Sequence, residues 1–370
     1  MRRYVALDSL RGLAALCVVL FHIGNFGAIA NLPPFRHGWL MVDFFFVLSG
    51  FVIAASYGER LAHGFSRAGF MLLRLGRVVP LHLAVVAVMA VAEFLLFRPW
   101  LNERHEIVLL VQGGLLLDGL STGAGNFYAP VSWSISVEIM LYYAAAVLLP
   151  LGRKGLAVAA VTIALSIAAL ATGWNHFGFG VLLQRGVLGF ALGMTCYALH
   201  HRIRIELHAW MLTILEMAVV GAVIWRLQDP VPSGVSMLSA DPLFALVVFV
   251  FAKDGGAVSR LLQTRVPKAL GRLSYSIYMI HVPVLMALDG LLPVIAARLV
   301  PSASPRALFG PGTFWGTVFT LSEVATVVGL SLLTFRWMEE PARKWSRDRV
   351  ARRMSVKEVR SSASEGLSLA

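Results

Sequence analysis

The sequence has little charge. Only 14% of its 370 residues are Asp, Glu, Lys or Arg, whereas 58% are hydrophobic. The mean hydropathy is +0.75. Soluble globular domains carry about 25% charged residues, so the composition excludes a soluble domain and indicates that the lipid bilayer surrounds most of the chain.

Cysteine is almost absent, and familiar cofactor motifs are missing. Cys17 and Cys196 both lie in apolar runs, which excludes a disulfide framework and a C-x-x-C metal or redox site. There is no Walker or Rossmann glycine loop, no His-x-x-x-x-Asp pair and no repeat of fixed period. Residues 119–123 match G-x-S-x-G, but no strand precedes them. We predict no metal site and no permanently bound cofactor.

Basic residues outnumber acidic ones, and the net charge is +12. Nucleic-acid binding would need a basic face on a soluble domain, and none is visible. The basic residues instead cluster in the loops on one side of a predicted membrane bundle, as the positive-inside rule requires. The excess charge therefore indicates topology, and we expect no nucleic-acid partner.

Long apolar runs dominate the chain. Because a bilayer offers the backbone no hydrogen-bond partners, runs of about 18 or more apolar residues predict membrane-spanning helices. We predict an all-α integral membrane protein with a bundle of ten transmembrane helices. The predicted segments are 13–30, 39–57, 79–97, 133–151, 155–172, 180–200, 209–226, 241–252, 270–292 and 314–337.

An eleventh apolar stretch, 107–120, contains Gln112 and Asp118 and is short for a crossing. If it spanned, every later basic loop would move to the outer side, against the positive-inside rule. We predict that it is re-entrant or interfacial, with both termini in the cytoplasm. Residues 1–345 form the predicted membrane domain, and 346–370 form a basic tail expected to be disordered.

The first predicted helix carries two ionisable residues. An ionisable side chain in mid-helix costs at least ~2.5 kcal/mol, which makes it a functional candidate. Arg11 and His22 are eleven residues apart, so they share one helix face and lie about 16 Å apart along the axis. We place Arg11 at the cytoplasmic boundary and His22 deep in the bilayer. A histidine there suits a general base; the alternative is a snorkelling arginine beside a hydrogen-bonded histidine.

A polar stripe follows Trp133. Ser134, Glu138 and Tyr142 recur every four residues and therefore lie on one helix face. This stripe brings a carboxylate into the membrane from the outer side. Glu138 is either functional or simply paired with an arginine of another helix.

A second histidine lies in a later helix. Ser274, Tyr278 and His281 are spaced to share a face, so His281 is a second site candidate. The alternative is that His281 satisfies a backbone carbonyl freed by Pro283.

Two arginines precede the third predicted helix on its cytoplasmic side. Arg74 and Arg77 are three residues apart, and two guanidiniums there suit the phosphates of a nucleotide or coenzyme A. Ordinary positive-inside residues would look the same.

The second predicted helix has Asp43 near its outer end. Asp43 and Gly50 share a face, whereas Ser49 does not. Gly50 is most simply a close-packing position, as are Gly189 and Gly193.

Five short motifs occur in a fixed order across the chain. They are Asp8 to Gly12 with His22, Phe45 to Phe51, Trp133 to Glu138, Leu273 to Tyr278 with His281, and Glu339-Glu340-Pro341. Together they resemble the acyltransferase 3 family of membrane O-acyltransferases. The resemblance covers residues 4 to 345.

The resemblance implies a ten-helix bundle in a bacterial plasma membrane. Such proteins take acyl groups, commonly acetyl, from cytoplasmic acyl-CoA and deliver them to carbohydrates, often across the membrane. The family's functional arginine and histidine of the first helix correspond to Arg11 and His22. Its paired arginines correspond to Arg74 and Arg77, here with two intervening residues rather than one.

These observations predict an O-acyltransferase in which His22 is the general base and Glu138 orients its imidazole. The alternative role of His22 is that of a nucleophile that forms an acyl-imidazole. Expected partners are acyl-CoA, a carbohydrate or glycolipid acceptor, the lipid bilayer, and glycan-assembly or acyl-relay proteins. A transporter or flippase with a proton-relay histidine is the alternative, because it would carry the same buried ionisable groups. The predicted site residues are His22, Arg11 and Glu138 for catalysis, Arg74 and Arg77 for acyl-CoA, and Asp43, Ser49, Trp133, Ser134, Tyr278 and His281 for substrate binding or support.

Overall fold

The structure is a computed structural model. It describes residues 3–24, 26–96, 104–120, 128–172, 180–203, 206–228, 234–299 and 308–368. The described chain is helical and contains no β-strand. The main helices are α1 (Val5–Ile23), α2 (Met41–Ala62), α3 (Arg67–Leu96), α4 (Arg104–Gly114), α5 (Ser132–Leu148), α6 (Arg153–Thr172), α7 (Val181–Arg202), α8 (Ala209–Arg226), α9 (Gly234–Phe251), α10 (Arg265–Asp289), α11 (Phe314–Thr334) and α12 (Glu340–Ser368).

Eight helical segments of the described chain are long and apolar enough to cross a membrane. The prediction of ten crossings is therefore not confirmed. The predicted segments 155–172 and 241–252 are helical, as α6 and α9, but neither is among the eight, and the apolar part of α9 is only Ala240–Phe251. The eight are Val5–Ile23, Gly38–Ala62, Arg67–Leu95, Ser132–Leu151, Val181–Arg202, Ala209–Arg226, Arg265–Ile295 and Phe314–Met354.

The stretch predicted not to span forms the short helix α4. Its 11 residues extend about 16 Å, roughly half of the ~30 Å hydrocarbon core. The chain then leaves helical geometry at Leu116, whose φ is 57°, and closes in a single 3₁₀ turn, Asp118–Leu120. These dimensions support the prediction that residues 107–120 do not cross the bilayer alone.

Glycines bring two pairs of helices into backbone contact. A Cβ added to Gly50 of α2 would lie 2.1 Å from the carbonyl oxygen of Phe190, and one added to Gly193 of α7 would lie 2.0 Å from that of Val47. The close-packing role predicted for these glycines is confirmed. Helices α1 and α10 approach in the same way at Gly12 and Gly271.

The basic C-terminal segment forms helix α12, although the sequence predicts disorder there. Its first part packs against α3: Ser346 and Val350 are buried, and Ser346 lies against Gly76. The prediction of disorder rests on the many charged residues of the segment. It does not take into account these contacts with α3.

Candidate active site

The crossing of α1 and α10 positions Arg11. A Cβ on Gly271 would lie 2.3 Å from the carbonyl oxygen of Asp8, so only a glycine allows this approach. Arg11 donates from Nε to the hydroxyl oxygen of Ser274, 2.9 Å away, and from a terminal nitrogen to the carbonyl oxygen of Gly271 at 3.3 Å. Asp8 lies 3.4 Å from the same terminal nitrogen. The first and fourth sequence motifs thus meet at this crossing.

Beside Arg11 lies a cavity of about 90 Å³, which we call the central cavity. Of the residues that the structure describes, three arginines and one carboxylate, that of Glu138, line the cavity, and much of the remaining wall is apolar. This charge balance suits a phosphate-bearing ligand with an apolar arm. The polar lining residues are Arg11, Ser49, Arg74, Arg77, Ser134, Glu138, Tyr142, Ser274, Tyr275 and Tyr278.

The two arginines of α3 both face the central cavity. Arg74 donates to the hydroxyl oxygen of Tyr57 at 2.8 Å, and its guanidinium lies 4.9 Å from the centre of the Tyr57 ring. Arg77 makes no hydrogen bond or ion pair with any described residue. The guanidinium of Arg77 therefore remains available to a ligand in the cavity.

Glu138 is held by two hydroxyl groups. One of its oxygens accepts a hydrogen bond from Ser49 at 2.7 Å and one from Tyr142 at 2.5 Å. Among described residues it has no arginine partner and no contact with His22. The predicted pairing of Glu138 with His22 is therefore absent from this structure, because two neighbouring hydroxyls engage the carboxylate within the cavity.

His22 lies in the last turn of α1, whereas the predicted segment 13–30 extends beyond it. Helix α1 ends at Ile23 because Gly24 has a positive φ of 72°. The side chain of His22 is exposed. It does not line the central cavity.

The second histidine contacts the side chain of the first. Nδ1 of His22 lies 3.2 Å from Nε2 of His281, and the ring centres are 4.8 Å apart. His281 is fully buried. Two motifs separated by more than 250 residues therefore form one histidine pair.

Backbone carbonyl oxygens determine which ring nitrogens of this pair are protonated, because a carbonyl oxygen accepts hydrogen bonds and cannot donate them. Nδ1 of His281 lies 2.6 Å from the carbonyl oxygen of Tyr278, so it carries the hydrogen and leaves Nε2 as an acceptor. Nδ1 of His22 lies 2.9 Å from the carbonyl oxygen of Val18 and donates both to it and to His281. In the neutral ring of His22 the unshared electron pair is therefore on Nε2.

Tyr278 connects the histidine pair to the central cavity. Its hydroxyl lies 2.8 Å from that of Ser134 and lines the cavity. Its ring centre is 5.8 Å from that of His281. Of the predicted supporting residues, Ser49, Ser134 and Tyr278 are thus in the cavity wall, and His281 lies behind Tyr278.

Asp43 and Trp133 lie elsewhere, around a buried arginine. Arg185 donates two hydrogen bonds to Asp43, at 2.9 and 2.8 Å, and both side chains are buried. Its guanidinium lies 5.0 Å from the ring centre of Trp39 and 5.3 Å from that of Trp133. Neither Asp43 nor Trp133 lines the central cavity; the cluster joins α2, α5 and α7 away from it.

Sequence reasoning missed Arg185 and Tyr57. Arg185 could have been found, because it is an arginine within the predicted segment 180–200, and an intramembrane charge requires a partner. Tyr57 gave no such signal, since a tyrosine in an apolar run is ordinary.

Comparisons with known proteins identify the family of this chain. The family model described as "Acyltransferase domain", of the acyltransferase 3 family, matches residues 4–331. The chain is 29% identical over 307 residues to the provisionally named membrane-bound transacylase BcsY of Komagataeibacter xylinus, covering 77% of this chain and 74% of that protein.

Two further relatives come from rhizobia. The chain is 26% identical over 404 aligned positions to Nodulation protein 10 of Rhizobium leguminosarum bv. viciae, covering 94% of this chain and 96% of the relative. It is 32% identical over 154 residues to Protein 2 in the picA locus of Rhizobium radiobacter, covering 38% of this chain and 78% of that protein. No solved structure matches the chain. The match over most of its length shows that this multi-pass membrane protein belongs to the acyltransferase 3 family.

Proposed function

We propose that this protein is a membrane O-acyltransferase that moves an acyl group, commonly acetyl, from cytoplasmic acyl-CoA to a hydroxyl of a carbohydrate or glycoconjugate, with His22 as general base. The observation that carries the proposal is the histidine pair, in which two acceptors fix Nδ1 of His22 and Nε2 is left unprotonated. Family membership supports the acyl-transfer chemistry.

The arginines of the central cavity would hold the donor. Arg11, Arg74 and Arg77 line one cavity, and guanidiniums form charge-assisted hydrogen bonds with phosphate oxygens. Arg77 has no hydrogen bond or ion pair with a described residue to give up on binding. The apolar wall would receive the uncharged pantetheine arm, which directs the thioester towards Tyr278 and the histidines.

His22 would then activate the acceptor. As the acceptor oxygen attacks the thioester carbonyl, Nε2 of His22 takes the hydroxyl proton, the carbon–sulfur bond breaks and the coenzyme A thiolate leaves. The charged imidazolium keeps its two Nδ1 contacts, to the carbonyl of Val18 and to Nε2 of His281. Because the side chain of His22 is exposed at the end of α1, an acceptor can approach it without passing through the cavity.

The test is transfer of radiolabelled acetyl from acetyl-CoA by the purified protein in lipid, with cell-envelope glycans as acceptors. We expect His22→Ala to abolish transfer. His63→Ala is the matched control: His63 is also exposed, and its Nδ1 also bonds the carbonyl oxygen four residues earlier, that of Glu59, at 2.7 Å.

Retained turnover in a folded His22→Ala variant would refute the role of His22. If the wild-type protein transfers no acyl group from any of several acyl-CoA donors but moves a substrate across vesicles, the protein is a transporter, and the proposal is wrong.

A further inference from the structure

A second groove lies on the outside of the bundle, between α3, α5 and α12. Its volume is about 570 Å³. We call it the α12 groove. On α3 it is lined by Met71, Leu72 and Leu75, whereas the central cavity is lined by Arg74, Arg77 and Val78 of the same helix. The two sites therefore lie on different faces of α3.

Three arginines converge on the α12 groove. Arg67 begins α3, and Arg349 and Arg353 lie one turn apart on α12. All three are exposed, and none has a hydrogen bond or ion pair with a described residue. Among the residues that the structure describes, no carboxylate lines the groove. Three positive charges at one place favour an anionic ligand carrying several acceptor oxygens.

The remaining wall of the groove is apolar and aromatic. Tyr143 and Val147 of α5 are 55% and 51% exposed, and Trp345 of α12 is 58% exposed. Trp345, Arg349 and Arg353 follow one another at intervals of four residues, so the three side chains share one face of α12. A soluble anion would neutralise the arginines but leave this apolar wall uncovered.

The position of the groove matches the level of lipid headgroups. It opens where the apolar helix α3 begins at Arg67, and tryptophan and tyrosine are typical of the membrane–water interface. Helix α12 is fixed there because Ser346 and Val350 are buried. Basic pockets between helices at this level are suited to anionic lipid headgroups.

We propose that the α12 groove binds an anionic phospholipid of the surrounding bilayer. The headgroup phosphate contacts Arg67, Arg349 and Arg353, and an acyl chain lies along Leu75 and Val147 beside the ring of Trp345. This site is separate from the central cavity, and the proposal holds whatever the acyl donor is.

The test counts lipids retained by the full-length protein. The protein is reconstituted in phosphatidylcholine with phosphatidylglycerol added, extracted into mild detergent, and examined by native mass spectrometry. A variant with Arg67→Gln, Arg349→Gln and Arg353→Gln is compared with a control carrying Arg260→Gln, Arg265→Gln and Lys268→Gln. The control loses the same charge from exposed positions outside the groove.

We expect the wild type and the control to retain phosphatidylglycerol in preference to phosphatidylcholine, and the groove variant to retain at least fivefold less of it. A single change, Trp345→Ala, should weaken retention with the charge unchanged. Equal retention by the groove variant and the control would overturn the proposal. Displacement of the lipid by millimolar acyl-CoA or inorganic phosphate would also overturn it, because the groove would then be a soluble-anion site.

Discussion

Nε2 of His281 lies 3.2 Å from Nδ1 of His22, and a fully buried histidine thus sets the hydrogen-bonding state of an exposed one. In the sequence, the two histidines belong to different motifs and are separate candidates for the site. In the structure they form one unit in which His281 accepts a hydrogen bond and His22 keeps a free nitrogen. His281 is therefore a positioning residue for the proposed base.

Replacing His281 tests this relationship. His281→Phe keeps a ring of similar size but removes the acceptor, so the imidazole of His22 loses one of its two Nδ1 partners. We expect kcat to fall about 10- to 100-fold, as a small misplacement of a catalytic group does, with KM for acyl-CoA nearly unchanged. Steady-state kinetics in lipid would measure both constants.

His281→Gln supplies the control, since its amide oxygen can accept the same hydrogen bond. It should recover part of kcat, and it should shift the pH profile less than the phenylalanine variant does. A full kcat in His281→Phe would show that His22 does not depend on this contact.

Arg77 should contribute to donor binding rather than to turnover. A hydrogen bond to a charged group contributes about 1.5–3 kcal/mol, which corresponds to about 10- to 100-fold in Kd. We therefore expect Arg77→Gln to weaken coenzyme A binding by about that factor. Isothermal titration calorimetry on the purified protein would measure it.

Arg153→Gln is the matched control for Arg77→Gln. Arg153 is exposed at the start of α6 and does not line the central cavity. Equal Kd values for both variants and the wild type would exclude Arg77 from the donor site.

The buried pair of Asp43 and Arg185 should control stability. Removing one partner leaves the other without its hydrogen-bonded counter-charge, which costs about 3–5 kcal/mol. Asp43→Asn should therefore lower the unfolding temperature in detergent strongly, while the protein that remains folded keeps its KM for acyl-CoA. Thermal unfolding and kinetics on the same preparation would separate the two effects.

Exchanging both partners for apolar residues gives the decisive comparison. Asp43→Leu with Arg185→Met should recover more than half of the lost stability, because neither residue then leaves a buried charge. A normal unfolding temperature with altered KM in Asp43→Asn would instead indicate that Asp43 contacts the substrate, as the sequence prediction has it.

The contact between α1 and α10 should not tolerate a side chain at Gly271. A Cβ there would lie 2.3 Å from the carbonyl oxygen of Asp8, so the two helices must separate. Overpacking of this kind costs about 1–3 kcal/mol. We expect Gly271→Ala to lose stability and activity together, since Arg11 would move away from Ser274.

Gly329→Ala is the control, because nothing lies within 4 Å of a Cβ at that position in α11. Alanine is also the better helix former by up to about 1 kcal/mol. Similar unfolding temperatures for the two variants would contradict the close approach at Gly271.

Local patterns predict the helices well, and they predict which polar residues share a helix face. Ser134 and Glu138 lie one turn apart on α5, and both face the central cavity. The spacing of Arg74 and Arg77 likewise predicts their shared site. These predictions succeed because helix periodicity alone fixes which side chains share a face.

Helix ends and tail packing were harder to predict. The sequence predicts a first segment that runs to residue 30, but α1 ends at Ile23, where Gly24 turns the chain. The C-terminal segment looks disordered by composition, but Val350 is buried against the bundle. A local glycine turn ends α1, and contacts with distant residues hold the tail; the apolar content of the sequence reports neither.

The sequence by itself determined that this protein is helical and embedded in a membrane, because a long apolar chain in a bilayer must satisfy its backbone within helices. It also determined that Arg11 and His22 share one face of α1. Only the tertiary structure decided that His281 and not Glu138 contacts His22, and that Asp43 pairs with Arg185 away from the cavity. Those partners lie on different helices, and the packing of the helices brings them together.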